Sequence, residues 1–150
     1  MKYVLVTLAT VATLATGAIG ALAPPALARP QPRLTLLGDW QGTYVCSQGL
    51  TRLRLTISAA SHGRLNAIFD FGPVKENSEV PHGRYEMSGE FNAKTGRVAL
   101  RAGKWIVQPT GYFTVDLDGY LNAPGDQITG VVPAAGCSVF DLKRRQALID

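Results

Sequence analysis

Two histidines, two cysteines and a few grouped acids are the residues of this chain that could do chemistry, and their spacing limits what that chemistry would be. His62 and His82 lie beside turn-forming residues, in Ser61-His62-Gly63 and Pro81-His82-Gly83. A catalytic histidine needs a positioned nucleophile on one side and an orienting acid on the other. No Gly-x-Ser-x-Gly elbow accompanies either one, and no serine is marked by its context. Both read as exposed turn residues. Glu86 and Glu90 share a face with Arg84 in an alternating segment. A glycosidase would use such a carboxylate pair, but acids alternating with arginine are the pattern of a solvated strand face. Asp116-x-Asp118-Gly119, followed by Asn122 and Asp126, offers oxygen donors without the bidentate Glu that closes an EF-hand loop. Asp118-Gly119 reads instead as a strand end or bulge. With no P-loop or dinucleotide glycine pattern either, no catalytic residue, cofactor or metal is expected.

Cys46 and Cys137 are the only cysteines. Their spacing excludes a Cys-x-x-Cys redox motif, and with two scattered histidines they make no structural zinc site. The N-terminus points to an oxidising compartment. Lys2 is followed by an uncharged Ala/Thr/Leu/Val run to Leu22, then Pro24-Pro25-Ala26-Leu27-Ala28 ahead of Arg29. That is the pattern of a secretory signal peptide over residues 1–28, with no further apolar span of membrane length. In that setting Cys46 and Cys137 are expected to pair.

The elements that must position these residues are strands. Residues 29–37 form a Pro-rich lead-in, and the body, residues 38–145, starts at Gly38 and leaves a tail at 146–150. From Gly38 the apolar residues alternate with period two between turn signals. Trp40, Gly42, Tyr44 and Cys46 share one face. Leu53, Leu55 and Ile57 alternate with arginines and Thr56, and Leu65, Ala67, Phe69 and Phe71 follow. Tyr85, Met87, Gly89 and Phe91 come after a long connection, 72–82. Val98 and Leu100 make a fifth strand, followed by a connection containing Trp105. Phe113, Val115 and Leu117 are expected to face inward from a sixth. Ala123-Pro124-Gly125-Asp126 places Pro and Gly centrally in a type II turn, and strands at 128–132 and 139–143 complete the set. Eight short strands with little helix predict an all-β, eight-stranded antiparallel up-and-down barrel, which removes exposed edges. The alternative is a two-sheet sandwich. Closure would bring Cys46 to Cys137 and Trp40 to Lys143 and Arg144, with Cys137 just before its strand or beside a bulge, since its parity opposes Phe140 and Leu142.

Gly38-Asp39-Trp40 opening such a meander, with Arg144 after the last strand, resembles the calycin group of lipocalins and avidins. That resemblance implies a first-strand Trp packed under a cation at the barrel end, and a cavity for a small apolar ligand. Tyr44-Val45-Cys46 with Gly49, a later Gly83-Arg84-Tyr85 and a C-terminal Cys137 are similar in order to the periplasmic inhibitors of c-type lysozyme. Those inhibitors present a loop Ser and a strand Lys or Arg to catalytic carboxylates; here Pro81-His82 stands where the Ser would be. The segment Trp40-x-Gly42-x-Tyr44-x-Cys46-x-Gln48-Gly49 also resembles an exported bacterial module of unassigned activity.

The formal charge is +4; without residues 1–28 it is +3, from 14 basic and 11 acidic side chains. That permits an anionic partner without requiring one, and export disfavours nucleic acid. Arg52, Arg54, Arg64, Arg84, Arg97 and Arg101 face outward on strands two to five, as a basic band or an ordinary charged exterior. The 72–82 connection, with Lys75, Glu76, Glu79 and His82, is longer than a hairpin requires and is either a binding loop or crossover slack. Together with Arg84, Tyr85 and Trp105, which plugs a barrel end or faces a ligand, these are the binding candidates; Trp40, Tyr44 and Arg144 are assigned structural roles. The expected function is a non-catalytic binding module, secreted or in the periplasm or cell envelope, for a protein or cell-envelope component. A carrier of a small apolar ligand is the alternative.

Overall fold

The computed structural model describes residues 35–146. The expected signal peptide lies outside them, as do residues 29–34 of the lead-in and 147–150 of the tail. The described chain is a closed antiparallel barrel of eight strands in sequence order: β1 (Gly38–Cys46), β2 (Gly49–Ala59), β3 (Leu65–Gly72), β4 (Gly83–Asn92), β5 (Arg97–Val107), β6 (Leu117–Leu121), β7 (Gln127–Val131) and β8 (Val139–Arg144). The sandwich is thereby excluded. Closure is made by β1 against β8, in register from Trp40↔Arg144 to Tyr44↔Phe140. The one helical segment among the described residues is a 3-10 turn at Ser61–Gly63, where exposed His62 takes a left-handed φ of 59°.

Period-two alternation places one face of every strand inside. Trp40, Leu53, Leu55, Phe69, Tyr85, Leu100, Leu117, Ile128, Phe140 and Leu142 are buried members of one apolar cluster. Rolling eight short strands into so tight a barrel forces neighbouring backbones together, and glycines mark the places. A Cβ at Gly42 would collide with the carbonyl oxygen of Asp141, and one at Gly89 with that of Ala99.

One ring of the barrel is clipped covalently. Cys46 ends β1, Cys137 lies two residues before β8, and the two are joined across 91 residues of sequence. The position of Cys137 ahead of its strand resolves its parity. Beside it the Ser138 amide donates to the Val45 carbonyl at 2.9 Å.

Five expectations are corrected. The body does not start at Gly38: Leu36 is 1% exposed and belongs to the core, and its carbonyl accepts the Trp40 indole N–H at 2.9 Å. Trp105 is not in a connection but inside β5, which runs on to Val107 because two register shifts each add one residue to it against β4. Such bulges lengthen one strand locally and re-aim its side chains. Phe113 does not face inward. The strand begins at Leu117, and residues 108–116 form an irregular connection from which Phe113 projects, 85% exposed. Finally, the Gly125 amide bonds to the Asn122 carbonyl, so Ala123 and Pro124 are the central pair of that turn and Gly125 follows at φ 79°. The Asn122 Oδ1 atom accepts from the amides of residues 125, 126 and 127. Asp118-Gly119, expected at a strand end or bulge, lies within β6.

Candidate functional site

Strand direction sorts the connections into two ends. The β1–β2 turn, the long 72–82 connection, the 108–116 connection and the β7–β8 turn, with the disulfide, gather at one end; the other holds the 60–64, 93–96 and 122–126 turns and residues 35–37. At that second end Arg144 covers Trp40, its guanidinium carbon 4.1 Å from the ring centroid. Arg144 donates to the carbonyls of Gly125, Leu37 and Thr35. Burial lowers its pKa against a smaller opposing pull from Asp126. Its donors are engaged internally, so Arg144 is a lock on the chain ends.

The disulfide end is closed by aromatic packing. Phe69 stacks on Tyr85 with centroids 4.5 Å apart, Trp105 meets Tyr85 edge-on at 5.0 Å, and Tyr112 stacks on Phe71 at 5.4 Å. The Tyr85 hydroxyl donates to the Val115 carbonyl (2.9 Å) and accepts from the Val115 amide (3.1 Å). One buried side chain thus satisfies both backbone groups of an irregular segment that has no strand partner there. Tyr44 likewise accepts from the Gln48 amide, which also donates to buried Thr51. The 72–82 connection is pinned by Asn77, whose amide donates to the carbonyls of Gln48 and Leu50, and by buried Val80.

Burial raises the pKa of Tyr44 and, with backbone hydrogen bonding to Val115 opposing it, that of Tyr85. Both stay protonated in the folded chain at pH values where an unfolded tyrosine ionises, near 10. Above that pH the unfolded state binds fewer protons than the folded one, so stability falls as pH rises. Alkaline titration of the unfolding free energy is expected to decline by ~1.4 kcal/mol per pH unit for each tyrosine. Tyr44→Phe should halve the slope, and an unchanged slope would show that these hydroxyls are not buried.

The binding candidates therefore separate. Tyr85 and Trp105 are internal, the first a latch and the second a half-buried plug. Lys75, Glu76, Glu79 and His82 are exposed on the 72–82 connection, with His82 Nδ1 3.5 Å from an Arg52 guanidinium nitrogen. Arg84 is exposed on β4, opposite Asp70 on one side and Val107 on the other. Half of the arginine band is paired with acids: Arg52 with Asp70 at 3.2 Å, Arg64 with Glu90 at 3.8 Å, and Arg101 with Asp118 at 2.8 Å and Asp116 at 3.7 Å. The hydrogen bond to Asp118 raises the Arg101 pKa. Asp116 also accepts the Ala102 amide, so both acids of the Asp-x-Asp-Gly run serve the fold.

Sequence reasoning missed the exposed apolar rim beside Arg84. Ile106, Val107 and Phe113 are 49%, 52% and 85% exposed. They flank a turn fixed by Tyr112 N–H donating to the Pro109 carbonyl and by the Gln108 side chain donating to the Tyr112 carbonyl. Pro109-x-Gly111, with Gly111 at φ 80°, was the turn signal that should have interrupted the alternation.

The interior of the barrel is filled. A ligand-sized cavity would leave accessible surface on the side chains facing it, yet Trp40, Leu53, Leu55, Phe69, Leu100, Leu117 and Leu142 are each 0–1% exposed. The barrel is packed by its own side chains, as eight-stranded barrels of this width allow. Comparisons of the chain with protein-family models, with curated proteins and with solved structures found no match.

Proposed function

We propose that the chain is an exported, non-catalytic binding module that holds a protein partner against the disulfide-clamped end of its barrel. The observation that carries this reading is Phe113, a large apolar side chain 85% exposed on a segment that Tyr85 latches in place. Exposed aromatics, phenylalanine among them, and arginine are enriched at protein interfaces. Arg84 lies at this rim through its pairing with Val107. Fixing the segment in advance lowers the ordering cost of association. The disulfide supports an oxidising compartment, and the filled interior favours a surface partner over a carried ligand.

A photo-crosslinking residue at position 113, in the chain produced in its own host, should give one discrete protein adduct that Arg84→Glu weakens. The same residue at position 58, an exposed site on β2, should give none. Adducts equally frequent at both positions, or at neither, would overturn the reading. Its sharpest form is inhibition of a c-type lysozyme, in which Arg84 faces the enzyme's carboxylates. Undiminished lysis of bacterial walls by lysozyme at micromolar levels of this protein would end that form.

A further inference from the structure

The outer wall carries a second surface, away from the Phe113 rim. Outward residues of β8, β1 and β2 lie in rows across the sheet: Lys143, Gln41 and Arg54 form one row, and Asp141, Thr43 and Arg52 the next. Pro73, Val74 and Lys75 of the long connection border them, and Arg145 lies just past β8. Gln41, Thr43, Arg52, Lys75, Lys143 and Arg145 line an open groove of about 590 Å³ there, with exposed Asp141 as the acid next to it, paired with Thr43. Arg144 also touches it but is committed to Trp40 and to backbone carbonyls. Arg52 is shared with Asp70. Lys75, Lys143 and Arg145 make no ion pair among the described residues. The neighbouring acids keep their charge, Asp141 accepting from the Gln127 amide at 3.0 Å and Asp39 from the Thr56 hydroxyl at 2.7 Å, but Arg52, Lys75, Lys143 and Arg145 outnumber them.

We infer that this groove binds a segment of anionic polysaccharide. Two strand spacings, roughly 10 Å, separate Lys143 from Arg54 at the groove's flank, with the Gln41 amide between them; the Thr43 hydroxyl lies in the next row, between Asp141 and Arg52. Charged groups at intervals over a hydrogen-bonding floor suit a chain that alternates anionic substituents with sugar hydroxyls. A peptide is disfavoured, because both sides of β1 are paired and a closed barrel offers no edge for strand addition. Pro73 and Val74 are the apolar side chains of the lining, and both sit at its border with the long connection. A cationic patch of this kind holds its ligand by screened electrostatics, so affinity falls steeply with salt.

The test is binding of the purified exported chain to oligogalacturonate, a carboxylate glycan, and to phosphomannan, a phosphate glycan, at low and high salt. Neutral dextran and polyglutamate serve as controls. At least one anionic glycan should bind at low salt, and which one does identifies the charge carrier. Lys143→Gln with Arg145→Gln should weaken that binding at least tenfold. Lys94→Gln with Lys104→Gln removes the same charge from exposed positions outside the groove and should change it less than twofold. Equal losses in the two double variants would reduce the effect to net charge and overturn the proposal. Binding of polyglutamate as tight as that of the glycans, or no glycan binding at all, would overturn it too.

Discussion

Replacing both cysteines, Cys46→Ala together with Cys137→Ala, is expected to lower the unfolding free energy by about 4–5 kcal/mol. The bridge closes a loop of about 90 residues, and in the chain-entropy treatment a loop of that length restricts the unfolded ensemble by this amount. For a domain of this size the loss corresponds to a fall in Tm of roughly 15–30 °C. The folded barrel should survive in mild conditions, because β1 and β8 are also joined along Trp40–Tyr44 and Phe140–Arg144. Hydrogen exchange should then speed up first at the clipped ring, where the Ser138 amide meets Val45, and last around Gly42 and Leu142. Chemical denaturation of the double variant beside the oxidised parent measures the first effect. A difference below about 1 kcal/mol would mean that the ends are held in the unfolded chain by something else, or that the sulfurs are not joined.

Trp40→Ala should cost about 3–5 kcal/mol, the range for emptying a buried aromatic site. Trp40 is fully buried, and its removal has three consequences at one place. The Leu36 carbonyl loses the indole N–H, the Arg144 guanidinium loses the ring beneath it, and the hydrogen bonds from Arg144 to Leu37 and Gly125 lose their support. A buried acceptor without a donor carries a desolvation penalty of its own. Trp40→Phe keeps an aromatic face under Arg144 but loses the indole donor and part of the ring volume, so it should cost about 1–3 kcal/mol less than the alanine variant. Thermal melts of the two variants check this order. Equal costs would mean that the ring is not the element being packed. Since domains of this kind have ~5–15 kcal/mol in total, either large variant brings the chain near its stability limit.

The first four strands were legible because their alternation is uninterrupted and their turns are Gly-marked: Leu53, Leu55, Phe69 and Tyr85 point inward as their parity requires. Cys46 and Cys137 were legible from compartment and strand count together. What period two cannot convey is an extra residue. The bulges in β5 shift Trp105 relative to Val98 and Leu100; Gly103, at the first of them and against the Glu86 carbonyl, is the one residue type that marked the place. Phe113 has the parity of Leu117 but no ladder to hold it. The backbone there is satisfied by the Tyr85 hydroxyl instead, a tertiary contact that a sequence pattern does not display. Leu36 was hidden among prolines because its burial depends on Trp40 and Arg144, the latter 108 positions away. The cationic groove was similarly invisible: Lys75, Lys143 and Arg145 come from opposite halves of the chain and meet because β8 returns to β1.

Binding from the outside of a filled barrel requires that the sheet close, and closure rests on β1 pairing with β8. Nuclear Overhauser contacts in the isotope-labelled protein test that pairing most directly. Cross-strand backbone contacts linking residues 40–44 with 140–144 in antiparallel order, including Gly42 with Leu142, are predicted. Their absence, with β1 and β8 amides exchanging as free edges while β2 to β7 stay protected, would contradict the account.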